Sequence, residues 1–525
     1  MSVSMDPDDH PPVATMTRRE WLLMLGAGAA AGAIPGVLRA QGAQRRGGVL
    51  RVSGSANPSS LDPATGGSGL DHSYLWPIYD TLVEWDYETL EPIPGMAEWK
   101  YPDATTMVLT IHPGIVFHDG TACDAEAVKF NLDRSRSDER SNIKADISSI
   151  ASIEVTGPLE VTLKLSYPDS ALPAILSDRA GMIASPTAIA RLGDEHDRKG
   201  VGAGPWKLVS WADNQGISMV RHEKYWRDDR GFVDAIEFAI IPERATGLRS
   251  VVAGQNDLAY QLPPRLTPLI DRAKDLELVT GPTLYCRQLY LNFSRGPLAD
   301  VRVRRAMNFA VDREAFVKVA YAGFGEPAYM NLPSSHWAYD QEVARLYPYD
   351  PDKARALLAE AGFKDGLELT AGGYIDPDSV RRGEILMDQL GKVGIRLRFT
   401  NGTVPEISAQ YFAQEKKFDT LLAAWTGRPD PAMSYGLMYG KDAYFNAGRV
   451  EVSAELTELL ARSRESEDMA VRKAVLSDVQ RIVMEQALVL PIAFEAEVTA
   501  INTKVTGYRS NLLGKPKYEF VSLAQ

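Results

Sequence analysis

Cysteine is nearly absent from this chain: Cys123 and Cys286 are the only two among 525 residues. Two thiols so far apart exclude a disulfide-stapled scaffold and any clustered cysteine metal motif, and leave open whether they are bridged or stay as buried thiols. The seven histidines are scattered, and His112 and His118 are separated across Pro113 and Gly114 by a spacing that matches no short structural metal motif. Neither a metal nor a cofactor is expected. An excess of positive charge is also missing. With 57 basic against 69 acidic residues the net charge is -12, which argues against nucleic acid or an anionic bilayer as the partner.

Catalytic signatures are lacking as well, and the near misses fail on chemistry. His222 and Glu223 begin like a zinc-protease helix, but Trp226 stands where the second histidine must coordinate. Gly66 to Leu70 resembles a serine nucleophile turn around Ser68, but Leu70 replaces the closing glycine. Gly26 and Gly28 look like a dinucleotide loop, yet they lie inside the leader described next. No catalytic residue is assigned, and the chain is not expected to be an enzyme.

Beyond Leu38 there is no uninterrupted apolar run of membrane-spanning length. The one such run lies at the start. Arg18 and Arg19 lead into the uncharged segment Trp21 to Leu38, which is rich in Gly and Ala and broken by Pro35. Paired arginines ahead of a weakly hydrophobic segment read as a twin-arginine export signal over residues 1–43, followed by a soluble periplasmic chain. The residues ahead of the pair include Asp6, Asp8 and Asp9, the wrong charge for a signal's first region, so Met16 competes with Met1 as the start. Cleavage is expected between Gln41 and Gly47.

From Gly48 onward short extended runs alternate with amphipathic helices, which places the chain in the α/β class. Extended runs include Met107 to Ile111, Val161 to Leu165, Ile217 to Arg221 and Ala235 to Ile241. Asp350 followed by Pro351 predicts a capped helix that Gly362 stops. A βαβ unit then runs from Leu367 to Thr370, through a helix around Arg382 to Leu390, to Ile395 to Phe399. Two helical periods, Val452 to Arg464 and Val471 to Met484, precede a final extended run at Leu488 to Phe494. A chain that ends in strands after long helices returns to an earlier lobe, and such crossings are natural hinges.

Several segments together resemble the extracellular solute-binding proteins that serve peptide and nickel ABC importers, family 5. They are Ser60 to Pro63, Ile78 to Val83, Gly114 to Thr121 with Ala125 to Asn131, Val201 to Lys207, Tyr225 with Trp226, Leu291 and Asn292 leading to Val301 to Asp312, and Tyr349 to Gly362. The motifs are mostly structural in that family: Gly120 and Gly204 permit turns, and His118 with Asp119 satisfies local hydrogen bonds. The resemblance implies a periplasmic binding protein-like fold (class II, type C), with two discontinuous α/β lobes closing on a ligand plus a smaller extra lobe. On this chain the lobes would be residues 48–75, 195–282 and 490–525 for the first, 76–194 for the small second, and 283–489 for the third.

The same resemblance implies capture of a small solute, peptide-like or carboxylate-bearing, and its delivery to ABC permease subunits by a monomer exported through the twin-arginine machinery. A solute-sensing receptor subunit is the alternative, and a secreted hydrolase a more distant one. In peptide-binding members a Trp is followed three residues later by an Asp that holds the ligand's ammonium group. Here Trp425 is followed by Arg428, with Asp430 two positions further. A guanidinium in that place favours an anion, with Trp425 as an apolar wall, unless Arg428 simply pairs with Asp430 and shapes the loop. Tyr285 and Tyr260, near the expected lobe crossing, complete the candidate ligand-binding set.

Overall fold

The computed structural model describes residues 46–412, 417–441 and 443–524. The twin arginines and the apolar run after them lie outside the described residues. Among the described residues no helix is long and apolar enough to cross a membrane.

Three main sheets organise the chain. The first has seven strands in the order Leu276–Gly281, Glu497–Asn502, Leu258–Ala259, Val49–Gly54, Ala235–Ile240, Gly216–Arg221 and Trp206–Ala212. Val49–Gly54 runs parallel to Ala235–Ile240, and Ile236, Phe238 and Ile240 alternate inward as a period of two requires. One face carries an aromatic core of Tyr74, Trp76, Phe238 and Tyr518. The other is covered by the helices Arg244–Val252 and Thr267–Asp271, packed on Val498 and Ala500.

The second sheet has six strands in the order Glu326–Pro327, Val489–Phe494, Cys286–Leu291, Thr420–Trp425, Leu367–Tyr374 and Ile395–Gly402. One of its parallel pairs, Leu367–Tyr374 with Ile395–Gly402, is joined by the helix Pro377–Gly391, which is the βαβ unit legible in the sequence. That helix starts where chemistry dictates, with Asp376 accepting from the Ser379 backbone N–H at 2.9 Å and Pro377 at the first position. Asp350 caps the helix Pro351–Glu360 in the same way. The third sheet has four antiparallel strands in the order Ala97–Asp103, Thr106–Ile111, Glu160–Leu165 and Ile150–Gly157. Met433, from the helix Pro431–Tyr439, is buried in its core.

Residues 282–285 carry the chain out of the first sheet into the second, and residues 495–496 bring it back. The boundary expected at 490 falls inside Val489–Phe494, whose pairing partners all belong to the six-stranded sheet, so the return lies a few residues later. The two crossings are tied together: the Glu495 N–H donates to the Tyr285 carbonyl at 2.9 Å, and the Thr283 hydroxyl donates to the Glu495 carbonyl at 2.5 Å.

Two motif glycines show why no side chain fits. Gly120 sits at φ +86°, and a Cβ on Gly204 would lie 2.6 Å from the backbone carbon of Ile78. His118 and Asp119 are used locally. The ring faces the Gly204 carbonyl at 2.9 Å, and the Asp119 carboxylate accepts from Thr121 and Ser185.

Cys123 is buried in the small-sheet core and Cys286 in the six-stranded core, and both are free thiols. Burial pushes both thiols up, away from the reactive thiolate. A thiol reagent at neutral pH is therefore expected to count no cysteines in the native protein and two after denaturation. A mass two hydrogens short on the intact chain would show a bridge instead.

Candidate functional site

A cavity of about 770 Å³ lies between the two large sheets. One wall is built from residues 242–244 and 261–265 beside the seven-stranded sheet, and the facing wall from Tyr374 and residues 376–382 on the six-stranded side. The floor is made by the crossings themselves, through Thr283, Tyr285, Arg287, Glu495 and Glu497. That volume suits a small molecule, and interfaces between lobes are where such sites form.

Charge in the cavity is unevenly compensated. Arg287 donates through Nε to Glu495 Oε1 at 3.0 Å and again through Nη2, and the Tyr321 hydroxyl donates to the same oxygen at 3.0 Å. Burial alone would raise the Glu495 carboxyl, but the charges of Arg287 and Arg382 overcome it and hold the group below its ordinary range. Arg265 and Asp378 form an ion pair at 3.4 Å.

Two other arginines are less completely matched. Arg244 donates Nη1 to the carbonyls of Gln261, at 2.6 Å, and Tyr260, at 3.3 Å, and among the described residues no carboxylate lies within 4.0 Å of it. Burial holds its guanidinium below the usual value. Arg382 donates Nη2 to Ser379 Oγ at 2.7 Å and stands 3.9 Å from Asp376, but its Nε is buried without a hydrogen-bond partner. A buried donor left unmade costs about 1 to 3 kcal/mol, so a ligand acceptor that reached it would recover that loss.

The residues singled out in the sequence divide around this cavity. Tyr285 lines it, and burial, followed by the nearby Glu495 charge, pushes its hydroxyl up to about 12. Tyr260 is packed in the aromatic core of the first sheet and offers the site its backbone carbonyl, which holds Arg244. Trp425 closes its strand as a buried residue, donates Nε1 to Ser434 at 3.3 Å, and meets Phe445 edge to face at 5.2 Å. Its neighbours Ala424 and Thr426 line the cavity; Trp425 itself does not.

Arg428 and Asp430 are not paired with each other. Asp430 caps the helix Pro431–Tyr439 through the Ala432 N–H at 2.8 Å, and its other oxygen pairs with buried Arg472 at 2.7 Å. Arg428 lies over the Trp425 ring at 5.2 Å and donates to the Gly427 carbonyl, with no carboxylate of the described residues within 4.0 Å. The charges it influences are Asp146 and Lys515. Burial raises the Asp146 carboxyl, and burial brings the Lys515 ammonium down to about 8.

Reading the sequence missed Arg244, Arg382, the Arg287–Glu495 pair and Glu497. No local signal marks them: Arg287 and Glu495 meet across a separation of 208 residues, and the others gain a role only as lining of a cavity assembled from distant segments. Among the described residues no group of three His, Cys, Asp or Glu side chains is arranged to hold a metal. His112 stacks on Trp226 at 5.5 Å.

The comparisons agree with this architecture. The middle-region model of the bacterial extracellular solute-binding proteins, family 5, matches residues 91–446. A glutathione-binding protein GsiB of Salmonella paratyphi A is 27% identical over 500 residues, covering 93% of this chain and 96% of that protein. GsiB of Shigella flexneri is 29% identical over 469 residues, covering 87% and 91%. Among solved structures, the periplasmic binding protein DppA of Helicobacter pylori, in complex with the peptide STSA, superposes with a TM-score of 0.79 at 24% identity, over 92% of this chain and 99% of that one. AgaA of A. tumefaciens, in complex with agropinic acid, gives 0.77 at 22%, over 91% and 99%. The fold is that of the periplasmic binding proteins, and the chain belongs to the bacterial extracellular solute-binding proteins, family 5.

Proposed function

We propose that this protein is the solute-capturing component of an ABC importer: a monomer, exported by the twin-arginine route, that works in the periplasm and hands its ligand to permease subunits without turning it over. The ligand sits in the cavity between the two large sheets. Closure of the outer lobe about residues 282–285 and 495–496 buries it, and a ligand that contacts both walls stabilises the closed state by its differential affinity. The permease then reads the closed surface. The three-lobe division expected from the sequence, with its return crossing moved to residues 495–496, is the frame for that motion.

The observation that carries the ligand class is the pair of incompletely compensated guanidiniums on facing walls, Arg244 and Arg382. They fit a peptide-like solute that bears carboxylate. Arg428, without a carboxylate partner within 4.0 Å among the described residues, is proposed as a further anionic contact beyond the strand end at Trp425. The GsiB relatives are named for glutathione, which carries two carboxylates, and that makes it a rational first probe.

Titration calorimetry should show Arg244→Ala and Arg382→Ala each weakening binding of the best carboxylate solute about 10- to 100-fold, since a hydrogen bond to a charged group contributes roughly 1.5 to 3 kcal/mol. Solution scattering should show the radius of gyration falling on addition of that solute. Unchanged affinity in both variants, or a tight ligand that leaves the scattering unchanged, would sink the assignment. Dipeptide binding undiminished in Arg428→Ala would remove only the third contact.

A further inference from the structure

We infer that Glu497 is an acidic anchor at the cavity floor, which takes an ammonium group of the ligand, so that the solute carries an amine as well as carboxylate. This rests on the reading of the cavity as the solute site.

The two acids at the return crossing are in opposite states. Glu495 is paired through its Oε1 with the Arg287 guanidinium and the Tyr321 hydroxyl. Glu497, two residues on, lines the same cavity and is only 4% exposed, yet no arginine or lysine of the described residues lies within 4.0 Å of it. Its Oε1 accepts from the Tyr508 hydroxyl at 2.5 Å and from Thr499 Oγ1 at 2.9 Å, which fixes the side chain in one orientation. The other oxygen, Oε2, is buried with no hydrogen-bond partner. A carboxylate held rigidly by one oxygen while the second lacks both a donor and a cation is costly in the empty protein, and a ligand N–H cation removes that cost.

The surrounding groups point the same way. Burial holds the Glu497 carboxyl above its ordinary range, against the hydrogen bonds from Tyr508 and Thr499. The cavity's incompletely compensated cations, Arg244 and Arg382, lie on the walls, whereas Glu497 lies on the floor where the chain re-enters the first sheet. Such a site discriminates by unpaired charge: a dicarboxylate without an amine leaves Glu497 buried and unmatched, and an amine without carboxylate leaves the guanidiniums unmatched.

The test uses two pairs of probes on the full mature chain by titration calorimetry: glutathione and its N-acetyl derivative, and L-alanyl-L-glutamate and its N-acetyl derivative. Acetylation removes the ammonium charge and leaves the carboxylates. The wild-type chain should prefer the free amine at least 10-fold in one pair or the other. Glu497→Gln, which can still accept from Tyr508 and Thr499, should erase that preference and leave the acetylated probe bound within threefold of wild type.

Equal binding of amine and acetylated probe by the wild-type chain, a comparison that needs no variant, would overturn the anchor and leave the carboxylate reading standing. A preference that survives in Glu497→Gln would overturn it too. No binding of any of the four probes would overturn both.

Discussion

Arg464→Ala is expected to lower stability by about 3 kcal/mol, read as a fall in the urea midpoint of unfolding. Arg464 grips Asp169 as a fork, Nε to Oδ1 at 2.8 Å and Nη2 to Oδ2 at 2.7 Å. The Asp169 side chain is fully buried, whereas Arg464 is about a quarter exposed. Removing one partner of a buried pair costs roughly 3 to 5 kcal/mol because the other charge is stranded, and the exposure of Arg464 puts this case at the lower end. Without the fork, Asp169 retains only the Ala171 N–H as a donor to its carboxylate among the described residues.

The fork joins the region of the four-stranded sheet to the segment between the helices Ala454–Arg462 and Met469–Glu485, where the Ser170 N–H also donates to the Arg464 carbonyl at 2.7 Å. Arg464→Lys should not rescue the loss, since an ammonium is a point charge that cannot make two parallel bonds to one carboxylate. Asp169→Leu combined with Arg464→Leu should be milder than Arg464→Ala alone, because no charge is stranded. A double variant as damaged as the single one would show that the contact acts through packing.

The other large effect belongs to Asp62. Arg134 holds both its oxygens, at 3.1 and 2.6 Å, while His196 Nδ1 stands 3.1 Å from Oδ2 and the Ala64 N–H donates to Oδ1 at 3.0 Å. His196 Nε2 accepts from the Val201 N–H at 3.3 Å, so the neutral ring with its proton on Nδ1 satisfies both contacts. Burial by itself would raise the Asp62 carboxyl. The hydrogen bonds from His196 and Arg134, together with the Arg134 charge, overcome it and hold the group well below the ordinary carboxylate range.

A carboxylate with a depressed folded-state value stabilises the protein above its unfolded value of about 4, and that contribution is lost as pH falls toward the folded one. Asp62→Asn is therefore expected to cost about 3 kcal/mol at pH 7, the lower end for a broken buried pair, since Arg134 keeps its 3.5 Å contact with Asp138. It should also flatten the acid limb of the stability curve between roughly pH 4 and pH 2. Urea titrations at a series of pH values check both. An acid limb as steep in the variant as in the parent would mean that other carboxylates carry it.

Asp62 also marks how much could be read in advance. It falls within Ser60 to Pro63, one of the segments that carry the family resemblance, and its importance was legible as a motif although its partners were not. Arg134 and His196 are 72 and 134 positions away. Local chemistry was readable because it is local: the cap at Asp350 and the alternation in Ala235–Ile240 depend on residues within one turn or one strand.

The site was legible only in part for the same reason. Trp425 and Arg428 stood out against a family pattern, yet the cavity receives Ala424 and Thr426 from that run, and alternation along the strand turns Trp425 toward Ser434 and Phe445. Arg244 begins an ordinary surface-capped helix, and nothing within four residues reveals that its guanidinium ends among the carbonyls of a distant loop.

The order of strands in the seven-stranded sheet sets a schedule for folding. Leu276–Gly281 is an edge strand whose only neighbour is Glu497–Asn502, so it has no hydrogen-bonding partner in its sheet until more than 200 further residues have been made. Leu258–Ala259 likewise waits for that strand on one side. A chain cut short of residue 497 would expose two apolar strand edges at once, and these invite pairing between molecules. Completion of this sheet therefore waits on residues 497–502, and a chain truncated before them is expected to aggregate rather than fold.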